Sequence, residues 1–291
     1  MTRALLVLLL LAGPARAQTG ITTTTLGPGL HVLAGYANGN ILVVDTPDGV
    51  LLVDAQSARR VAAADTALRA LTPRAVRRVI YTHYHEDHVA GTPHWRRDGL
   101  SVLAHEAVPT QMRKDTVIAD WDNWHRKPAA AEALPDAVFS ADTVLSHGGI
   151  EVRVLHIANA HTDGDAIVYL PRENVLHVGD LVEPGAAPFI DWWAGGSLSG
   201  MIAGADRILG LADSATRIVP GHGPVIGRAE VMTHRRMLQT VGDRVAAAVR
   251  DGHTVEQLLE TNPASEFEDF LGGPRRAQQF VRLLYYGATR R

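Results

Sequence analysis

The chain has 291 residues, of which 46% are hydrophobic and 20% charged, and its 28 basic and 31 acidic side chains give a formal charge of −3. This composition is typical of a globular protein with a large core, and it excludes a disordered chain and a nucleic-acid binder that relies on bulk positive charge. Because there is no cysteine, disulfides, thiolate metal sites and cysteine nucleophiles are excluded, whereas histidine is abundant, at 14.

Residues 1–17 have the pattern of a secretory signal peptide. Arg3 precedes an apolar run over residues 4–12, and Ala15-Arg16-Ala17 is a small-x-small cleavage pattern. The run is shorter than the ~20 residues that a membrane-spanning helix needs. We expect cleavage after Ala17 and a mature chain, from Gln18, that is periplasmic or secreted and not membrane-attached. The alternative is a buried N-terminal helix or an uncleaved anchor.

The first half of the mature chain alternates predicted strands and helices. Apolar runs at 41–44 and 50–53 flank a Thr-Pro-Asp-Gly turn and predict a β-hairpin. Helical spacing follows over 58–71, and buried strands are predicted at 76–82 and 101–104. Residues 106–135 carry tryptophans and a proline and predict an irregular helical insertion.

The second half also contains both predicted strands and predicted helices, but its sequence does not repeat that of the first half. Strands are predicted at 150–157, 166–170 and 175–178, and helices at 198–211, 230–249, 254–259 and 275–284. No linker separates the two halves, so residues 18–291 are predicted to form a single domain of layered α/β class. The sequence does not fix the order of the strands.

Four potential metal ligands follow the strand at 76–82, in His83-Tyr84-His85-Glu86-Asp87-His88. Alternate residues of an extended chain point the same way, so His83 and His85 can approach one ion. Asp87 and His88 follow as the chain turns and can reach a second ion. Imidazole and carboxylate suit zinc, and imidazole also suits iron, manganese or nickel less selectively. The zincin motif H-E-x-x-H is absent.

This pattern resembles H-x-H-x-D-H, the signature of the metallo-β-lactamase superfamily. Three later motifs extend the resemblance, in order and approximate spacing, from residue 30 to about 225: His161-Thr162, Gly179-Asp180 and Pro220-Gly221-His222. The resemblance implies an αββα sandwich, in which two mixed β-sheets are flanked by helices and the metals lie at one edge.

The same resemblance implies a set of seven ligands for two zinc ions per chain. One ion is held by His83, His85 and His161, the other by Asp87, His88 and His222, and Asp180 bridges the two or lies close to the bridge. Such paired ions lie ~3.5–4 Å apart and lower the pKa of bound water to about 7. A bridging hydroxide is then the nucleophile, and Asp87 and Asp180 are the catalytic carboxylates.

Loops on either side of the metals are expected to contact the substrate. The predicted contacts are Tyr36, Asn38 and Asn40 before the first hairpin, Trp121 and Trp124 in the insertion, and Phe189, Trp192 and Trp193 after Asp180. The four tryptophans would form an apolar wall, or else pack the insertion onto the core.

Asp54 ends the strand at 50–53 and has two interpretations. It caps the helix that follows, or, as the resemblance favours, it accepts hydrogen bonds that orient the H-x-H loop. The remaining histidines are interpreted as structural or exposed, with His125 of the insertion as the one candidate for a substrate contact.

The favoured function is hydrolysis of a small lactone, ester, thioester or β-lactam. The arrangement at Asp180 resembles the glyoxalase II and lactonase branches. A main β-lactamase activity is an alternative, although Glu183 would repel the drug carboxylate that a lysine grips in one β-lactamase subclass. A small-molecule phosphodiesterase and an iron-dependent redox protein are further alternatives. The expected partner is a small molecule and not nucleic acid.

Overall fold

The structure, a computed structural model, describes residues 20–35, 39–96, 99–119 and 123–290. The predicted signal peptide and the expected contacts of Tyr36, Asn38 and Trp121 lie outside these ranges. No helix within them is both long enough and apolar enough to cross a membrane.

The described ranges contain strands of three to eight residues. These are β1 (Ile21–Gly27), β2 (Leu30–Gly35), β3 (Ile41–Thr46), β4 (Gly49–Val53), β5 (Val76–Ile80), β6 (Ser101–His105), β7 (Thr116–Ile118), β8 (Trp124–Arg126), β9 (Ala137–Phe139), β10 (Thr143–His147), β11 (Ile150–Ile157), β12 (Asp165–Leu170), β13 (Val175–Gly179) and β14 (Arg217–Pro220).

Helices lie between the strands and after the last of them. These are α1 (Val61–Leu71), α2 (Glu86–Val89), α3 (Thr92–Trp95), α4 (Ala107–Met112), α5 (Leu198–Leu211), α6 (Arg228–Arg250), α7 (Val255–Glu260) and α8 (Pro274–Thr289), with short 3₁₀ turns at Ala131–Ala133, Trp192–Ala194 and Ser265–Phe267.

Two mixed sheets form the centre of the described part of the molecule. The first has the order β1-β2-β3-β4-β5-β6-β9, antiparallel from β1 to β4 and parallel from β4 to β9. The second has the order β10-β11-β12-β13-β14, in which only β13 and β14 are parallel. The two parallel pairs β4–β5 and β13–β14 matter most, because their carboxyl ends carry the candidate site.

Apolar side chains that alternate along the strands pack into three buried hydrophobic layers, one between the sheets and one on the outer face of each sheet. Leu42 and Val44 of β3 pack against Val154 and Val168 of the second sheet. The opposite face of the first sheet packs on α1, whereas the outer face of the second packs on α5, α6 and α8. Helices therefore cover both outer faces, which confirms the predicted αββα sandwich.

The insertion, predicted to be irregular and helical, also contains strands. After α4 it forms a small antiparallel hairpin, in which β7 pairs with β8. Strand β1 was not predicted, because the four threonines of this edge strand are exposed and give no apolar alternation. The hairpin of β3 and β4 is present as predicted, with Gly49 in its turn at a φ of 111°.

Backbone hydrogen bonds join the two sheets at one edge. The amide of Ala166 donates to the carbonyl of Thr82 at 2.8 Å, and the amide of Asn40 donates to the carbonyl of Gly221 at 2.6 Å. Loops from both sheets are thus held together at this edge, and they carry all seven predicted ligands.

Candidate metal centre

The structure brings the seven predicted ligands together in two adjoining groups. Within each group, one donor atom per residue lies within 4.8 Å of the others. The first group is His83, His85, His161 and Asp180, and the second is Asp87, His88 and His222. Residues separated by up to about half of the chain therefore meet at one place, as the H-x-H-x-D-H pattern predicted.

The first group is built around Nδ1 of His85. This atom lies 3.0 Å from Nε2 of His83 and 2.9 Å from Nε2 of His161. His83 and His161 are each only 1% exposed. Three imidazole nitrogens thus face one another in a site from which water is largely excluded.

The outer nitrogen of each ring donates a hydrogen bond. Nδ1 of His161 donates to the carbonyl of Phe189 at 2.8 Å, and Nε2 of His85 donates to a carboxylate oxygen of Asp191 at 3.2 Å. Nδ1 of His83 lies 3.1 Å from the hydroxyl of Thr82 and donates to it, because that hydroxyl gives its own proton to Asp54. These bonds fix the tautomers.

It follows that the three inner nitrogens present lone pairs to one another. Burial, together with the neighbouring imidazoles, lowers the pKa of His161 to about 4 and that of His83 well below its usual value, so both rings are neutral at pH 7. Converging lone pairs repel unless a cation lies between them. The donor set therefore fits a metal ion such as zinc, which three neutral imidazoles commonly bind.

The second group is built around Nε2 of His88. It lies 3.3 Å from Nε2 of His222, and the same nitrogen of His222 lies 3.1 Å from a carboxylate oxygen of Asp87. Nδ1 of His88 donates to Asp54 at 2.7 Å, so the ring again points its other nitrogen inward. The second group thus offers two imidazoles and one carboxylate.

Asp180 lies between the two groups. Its Oδ2 is 3.7 Å from Nε2 of both His83 and His161 and 3.4 Å from Nε2 of His222. Its Oδ1 is buried and accepts no hydrogen bond from the residues that the structure describes. A carboxylate in this place can contact cations in both groups, which is the bridging position that the resemblance implied.

The electrostatics of the second group favour positive charge. Burial opposes ionisation of Asp180, but His222 and His88 outweigh it and hold the pKa of the carboxyl well below its ordinary value. Burial likewise lowers the pKa of His222, yet the Asp180 and Asp87 carboxylates raise it to about 11. Divalent cations would satisfy these carboxylates in the same way.

Asp54 lies beneath the ligand loop. Its carboxylate accepts the amide of Thr82 at 2.7 Å, the hydroxyl of Thr82 at 2.8 Å and Nδ1 of His88, and it is fully buried. The residue adopts a φ of 65°, which aspartate tolerates better than most residues. Helix α1 begins at Val61 with Arg60 as its N-cap, so Asp54 is not the cap of that helix.

Asn40 has a different role from the expected substrate contact. It is 2% exposed, and its side-chain amide donates to the carbonyls of Pro220 and Gly223, each at 2.9 Å. These bonds hold the turn that carries His222. Gly221 in the same turn has no room for a side chain, because an added Cβ would overlap Oδ1 of Asp180.

A cleft of about 1040 Å³ opens beside the first group. His85 and Asp87 line it, together with the rings of Trp124 and Phe189. The ring centroids of Trp124 and Phe189 lie 6.1 and 6.0 Å from that of His85 and 6.0 Å from each other. Of the four tryptophans expected to form an apolar wall, Trp124 lines the cleft, and Phe189 forms the wall with it; His125 also lines the cleft.

Trp192 and Trp193 lie elsewhere, against the last helix. An added Cβ on Gly287 of α8 would overlap the indole of Trp192, and the ring of Trp193 lies 5.5 Å from that of Tyr286. Neither tryptophan lines the cleft. Both therefore have a packing role, but against α8 and not, as the alternative had it, between the insertion and the core.

Asp191, Tyr84 and Arg126 were not predicted. Asp191 is fully buried and bonds His85, the hydroxyl of Tyr84 and two backbone amides of the 3₁₀ turn. Burial opposes its ionisation, but the contact with His85 outweighs it and lowers the pKa to about 2. The feature of the sequence that could have indicated a role for Asp191 is its position as an acidic residue within an otherwise apolar loop.

The expected repulsion from Glu183 does not fit its position. Glu183 is only 8% exposed and lies close to Asp180 and His222. Burial and the neighbouring Asp180 carboxylate raise its pKa well above the ordinary value. Its burial places Glu183 beneath the ligands and not at the mouth of the site, where the expected repulsion would act.

Known proteins share both the sequence pattern and the architecture. The family model described as the metallo-beta-lactamase superfamily matches residues 34–222, which include every predicted ligand. A metallo-beta-lactamase type 2 from Bacillus sp. (strain 170) is 26% identical over 203 residues, covering 67% of this chain and 73% of the relative.

Solved structures share the fold at lower identity. A metallo-beta-lactamase from Pontibacter korlensis has a TM-score of 0.62 at 22% identity, covering 75% of this chain and 99% of that chain. A stereoselective inverting sec-alkylsulfatase from Pseudomonas sp. has a TM-score of 0.69 at 15% identity, covering 91% of this chain but only 50% of its own length. The chain therefore belongs to the metallo-beta-lactamase superfamily of metal-dependent hydrolases.

Proposed function

We propose that the chain is a dinuclear zinc hydrolase that cleaves a lactone, ester, thioester or β-lactam of a small molecule. The observation that carries the proposal is the convergence of three buried imidazole lone pairs beside a carboxylate, Asp180, that also contacts the second group. This donor set suits two zinc ions, and no cysteine competes with it.

In this proposal His83, His85 and His161 hold one zinc ion, and Asp87, His88 and His222 hold the other, with Asp180 between them. When bound, the two ions would lower the pKa of a shared water and polarise the substrate carbonyl. The protein itself orients the ligands: Asp54 fixes the ring of His88, Asp191 that of His85, and the carbonyl of Phe189 that of His161.

The shape of the cleft supports a small carbonyl substrate. Trp124 and Phe189 form an apolar wall beside His85, and Met112 and Pro128 extend the apolar lining. Because His85 and Asp87 line the same cleft, the scissile group would lie next to the metals while the remainder of the substrate packs on the rings. With Glu183 buried, β-lactams stay among the candidate substrates.

Hydrolysis of an alkyl sulfate ester is a second candidate function. The structural match to the sec-alkylsulfatase extends over 91% of this chain, compared with 75% for the metallo-beta-lactamase. In addition, Arg59 and Lys127 are exposed at the lining of the cleft and would attract an anionic ester. The chain spans only half the length of that sulfatase. Hydrolysis of alkyl sulfates is therefore a candidate activity for this chain and not its assigned function.

We further propose that residues 1–17 direct export and that the mature enzyme begins at Gln18, in the periplasm or outside the cell. Export fits an enzyme that meets exogenous lactones or β-lactams. Sequencing the N-terminus of the protein recovered from the periplasm or medium tests this directly, because an uncleaved anchor would leave Met1 or Thr2 as the first residue.

Elemental analysis combined with a substrate panel tests the proposed function. Lactones, esters, thioesters, β-lactams, alkyl sulfates and phosphodiesters are compared with the purified protein and its His161→Ala and Asp87→Ala variants. Two equivalents of zinc and turnover of a carbonyl substrate, lost in both variants, support the proposal. Turnover confined to alkyl sulfates favours the second candidate, whereas one equivalent of iron with oxygen uptake contradicts both.

A further inference from the structure

We infer that Arg126 binds a carboxylate carried by the substrate, and that the preferred substrates are therefore carbonyl compounds with a second, anionic end. This inference rests on the proposed function and deepens it. The observation behind it is a buried guanidinium, beside the metal centre, that lines the cleft without an ion-pair partner among the described residues.

Arg126 is placed by the hairpin of the insertion. It is the last residue of β8, two residues after Trp124, so both side chains lie on the same face of the strand. Both line the cleft. Arg126 is only 6% exposed, which is unusual for arginine, because a buried charge is normally paired with an opposite charge.

No ion pair within 4 Å joins Arg126 to a described carboxylate, although its charge acts on Asp191 from farther away and helps to lower the pKa of that carboxyl. Its Nη2 donates to Oε1 of Gln111 at 2.8 Å, and its Nε is buried with no hydrogen-bond partner among the residues that the structure describes. Gln111 in turn donates to Asp163 at 2.6 Å, so a neutral amide separates this carboxylate from the guanidinium. Burying a charged donor group without a full set of partners costs stability, and an anion bound beside the guanidinium would offset part of that cost.

Aromatic rings hold the guanidinium in a fixed orientation. Its Cζ lies 4.7 Å from the ring centroid of Tyr84 and 5.9 Å from that of Trp124. Tyr84 is itself anchored by its hydroxyl, which donates to Asp191. A guanidinium packs favourably on aromatic faces, and its flat, two-pronged donor group matches the geometry of a carboxylate.

The same rings connect Arg126 to the metal centre. The ring of Tyr84 lies 4.6 Å from that of His85, and the ring of Trp124 lies 6.1 Å from it. One aromatic side chain thus separates the guanidinium from a predicted zinc ligand. A substrate with its scissile carbonyl at the metals needs only a short spacer to place a carboxylate on Arg126, with the spacer lying along Trp124.

The charges along the cleft favour this orientation of the substrate. Arg59, Arg126 and Lys127 line the cleft together with Glu86. A substrate carboxylate would be repelled by Glu86 and attracted toward the basic side chains, among which Arg126 is the buried one. Lys127 is exposed, so solvent screens its charge more strongly than that of the buried guanidinium.

A matched pair of substrates tests the inference. Phenyl hydrogen glutarate carries a free carboxylate, and phenyl methyl glutarate has the same carbon chain without the charge. For Arg126→Gln we expect KM for the acid to rise about tenfold or more, while KM for the neutral ester changes less than about twofold. Arg126→Lys should recover part of the loss, because it keeps the charge but not the two-pronged geometry.

Arg113→Gln is the matched control. Arg113 is exposed, does not line the cleft and donates to the carbonyl of Pro109 in its own helix, so its replacement removes the same charge from the chain. The control should leave both KM values unchanged. If Arg126→Gln impairs the two substrates equally, or if the control has the same effect, the inference is overturned.

Direct binding separates this inference from the proposed function. Glutarate is titrated into the zinc-loaded protein, and quenching of tryptophan fluorescence reports occupancy beside Trp124. Saturable binding that is weakened about tenfold by Arg126→Gln supports the inference even if neither ester is hydrolysed, which would be a failure of the proposed function alone. Glutarate binding that is equal in the wild type and in Arg126→Lys and Arg126→Gln contradicts it.

Discussion

Nδ1 of His88 lies 2.7 Å from Oδ2 of Asp54, and both side chains are fully buried. The same carboxylate accepts the hydroxyl of Thr82, which in turn accepts the proton of His83 Nδ1. One carboxylate at the end of β4 therefore orients a ring in each of the two ligand groups. Loss of the Asp54 carboxylate should therefore lower metal affinity more than the loss of one hydrogen bond would.

Replacing Asp54 by asparagine should weaken zinc binding without removing a ligand. The amide group cannot accept all three of the hydrogen bonds that the carboxylate accepts, so the rings of His88 and His83 lose their orientation. We expect zinc affinity to fall about 10–100-fold, as for other residues that support metal ligands. Competition with a chromophoric chelator measures this. Asp142→Asn, at an exposed position, is the control, and equal affinities in the two variants would show that Asp54 does not orient the ligands.

Asp180 should be needed for the second equivalent of zinc. Asp180→Asn keeps the size of the side chain but removes the charge that contacts both groups at 3.4–3.7 Å. We expect the metal content to fall from two zinc ions per chain toward one, because three histidines remain for the first ion. Elemental analysis after dialysis provides the measurement. A variant that keeps two tightly bound ions would refute the bridging role.

Gly221 should not tolerate even a methyl group. An added Cβ would overlap Oδ1 of Asp180 and approach Cε1 of His88 at 2.9 Å, so Gly221→Ala must displace ligands from both groups. We expect loss of zinc and of activity. The control is Gly210→Ala in α5, where no atom lies within 4 Å of the added methyl; this substitution should be neutral or stabilise the helix by up to about 1 kcal/mol. Retained zinc binding in Gly221→Ala would argue against the geometry of this turn.

His234 should make folding stability depend on pH between about 4 and 6.5. Burial in α6 lowers its pKa from 6.5 to about 4, so in this window the unfolded chain binds the proton that the folded chain excludes. Stability contributed by this residue is therefore complete above pH 6.5 and falls by about 3 kcal/mol on acidification to pH 4. Urea unfolding of the wild type and of His234→Leu at several pH values measures the difference. Parallel pH profiles for the two proteins would contradict the assignment.

Four of the seven ligands were predictable from the residues alone because they are close together in the sequence, whereas His161, Asp180 and His222 were implied by the resemblance to the superfamily. His83, His85, Asp87 and His88 fall within six residues after an apolar strand, and so dense a run of ligating side chains is typical of a metal site. Asp180 and His222 follow strands β13 and β14, whose parallel pairing brings their carboxyl ends to one edge. The strand topology that brings these residues to the same place was not predictable from the sequence, and the αββα fold was implied by the same resemblance.

The surroundings of the site were less predictable, because they depend on contacts between distant segments. Trp192 was expected at the cleft but packs beside Gly287, about a hundred residues later in the chain. Asn40 was expected at the substrate but holds the turn around Gly221. Arg126 was not predicted at all, since an arginine in an irregular segment gives no sign of burial until the hairpin of β7 and β8 is known.

Crystallography of the zinc-loaded protein, with data collected at the zinc absorption edge, would locate the ions. We expect two anomalous peaks in contact with Asp180, one surrounded by His83, His85 and His161 and the other by Asp87, His88 and His222. A single peak that leaves either group empty, or zinc bound away from these seven residues while the enzyme is active, would show that these residues do not form the paired metal site.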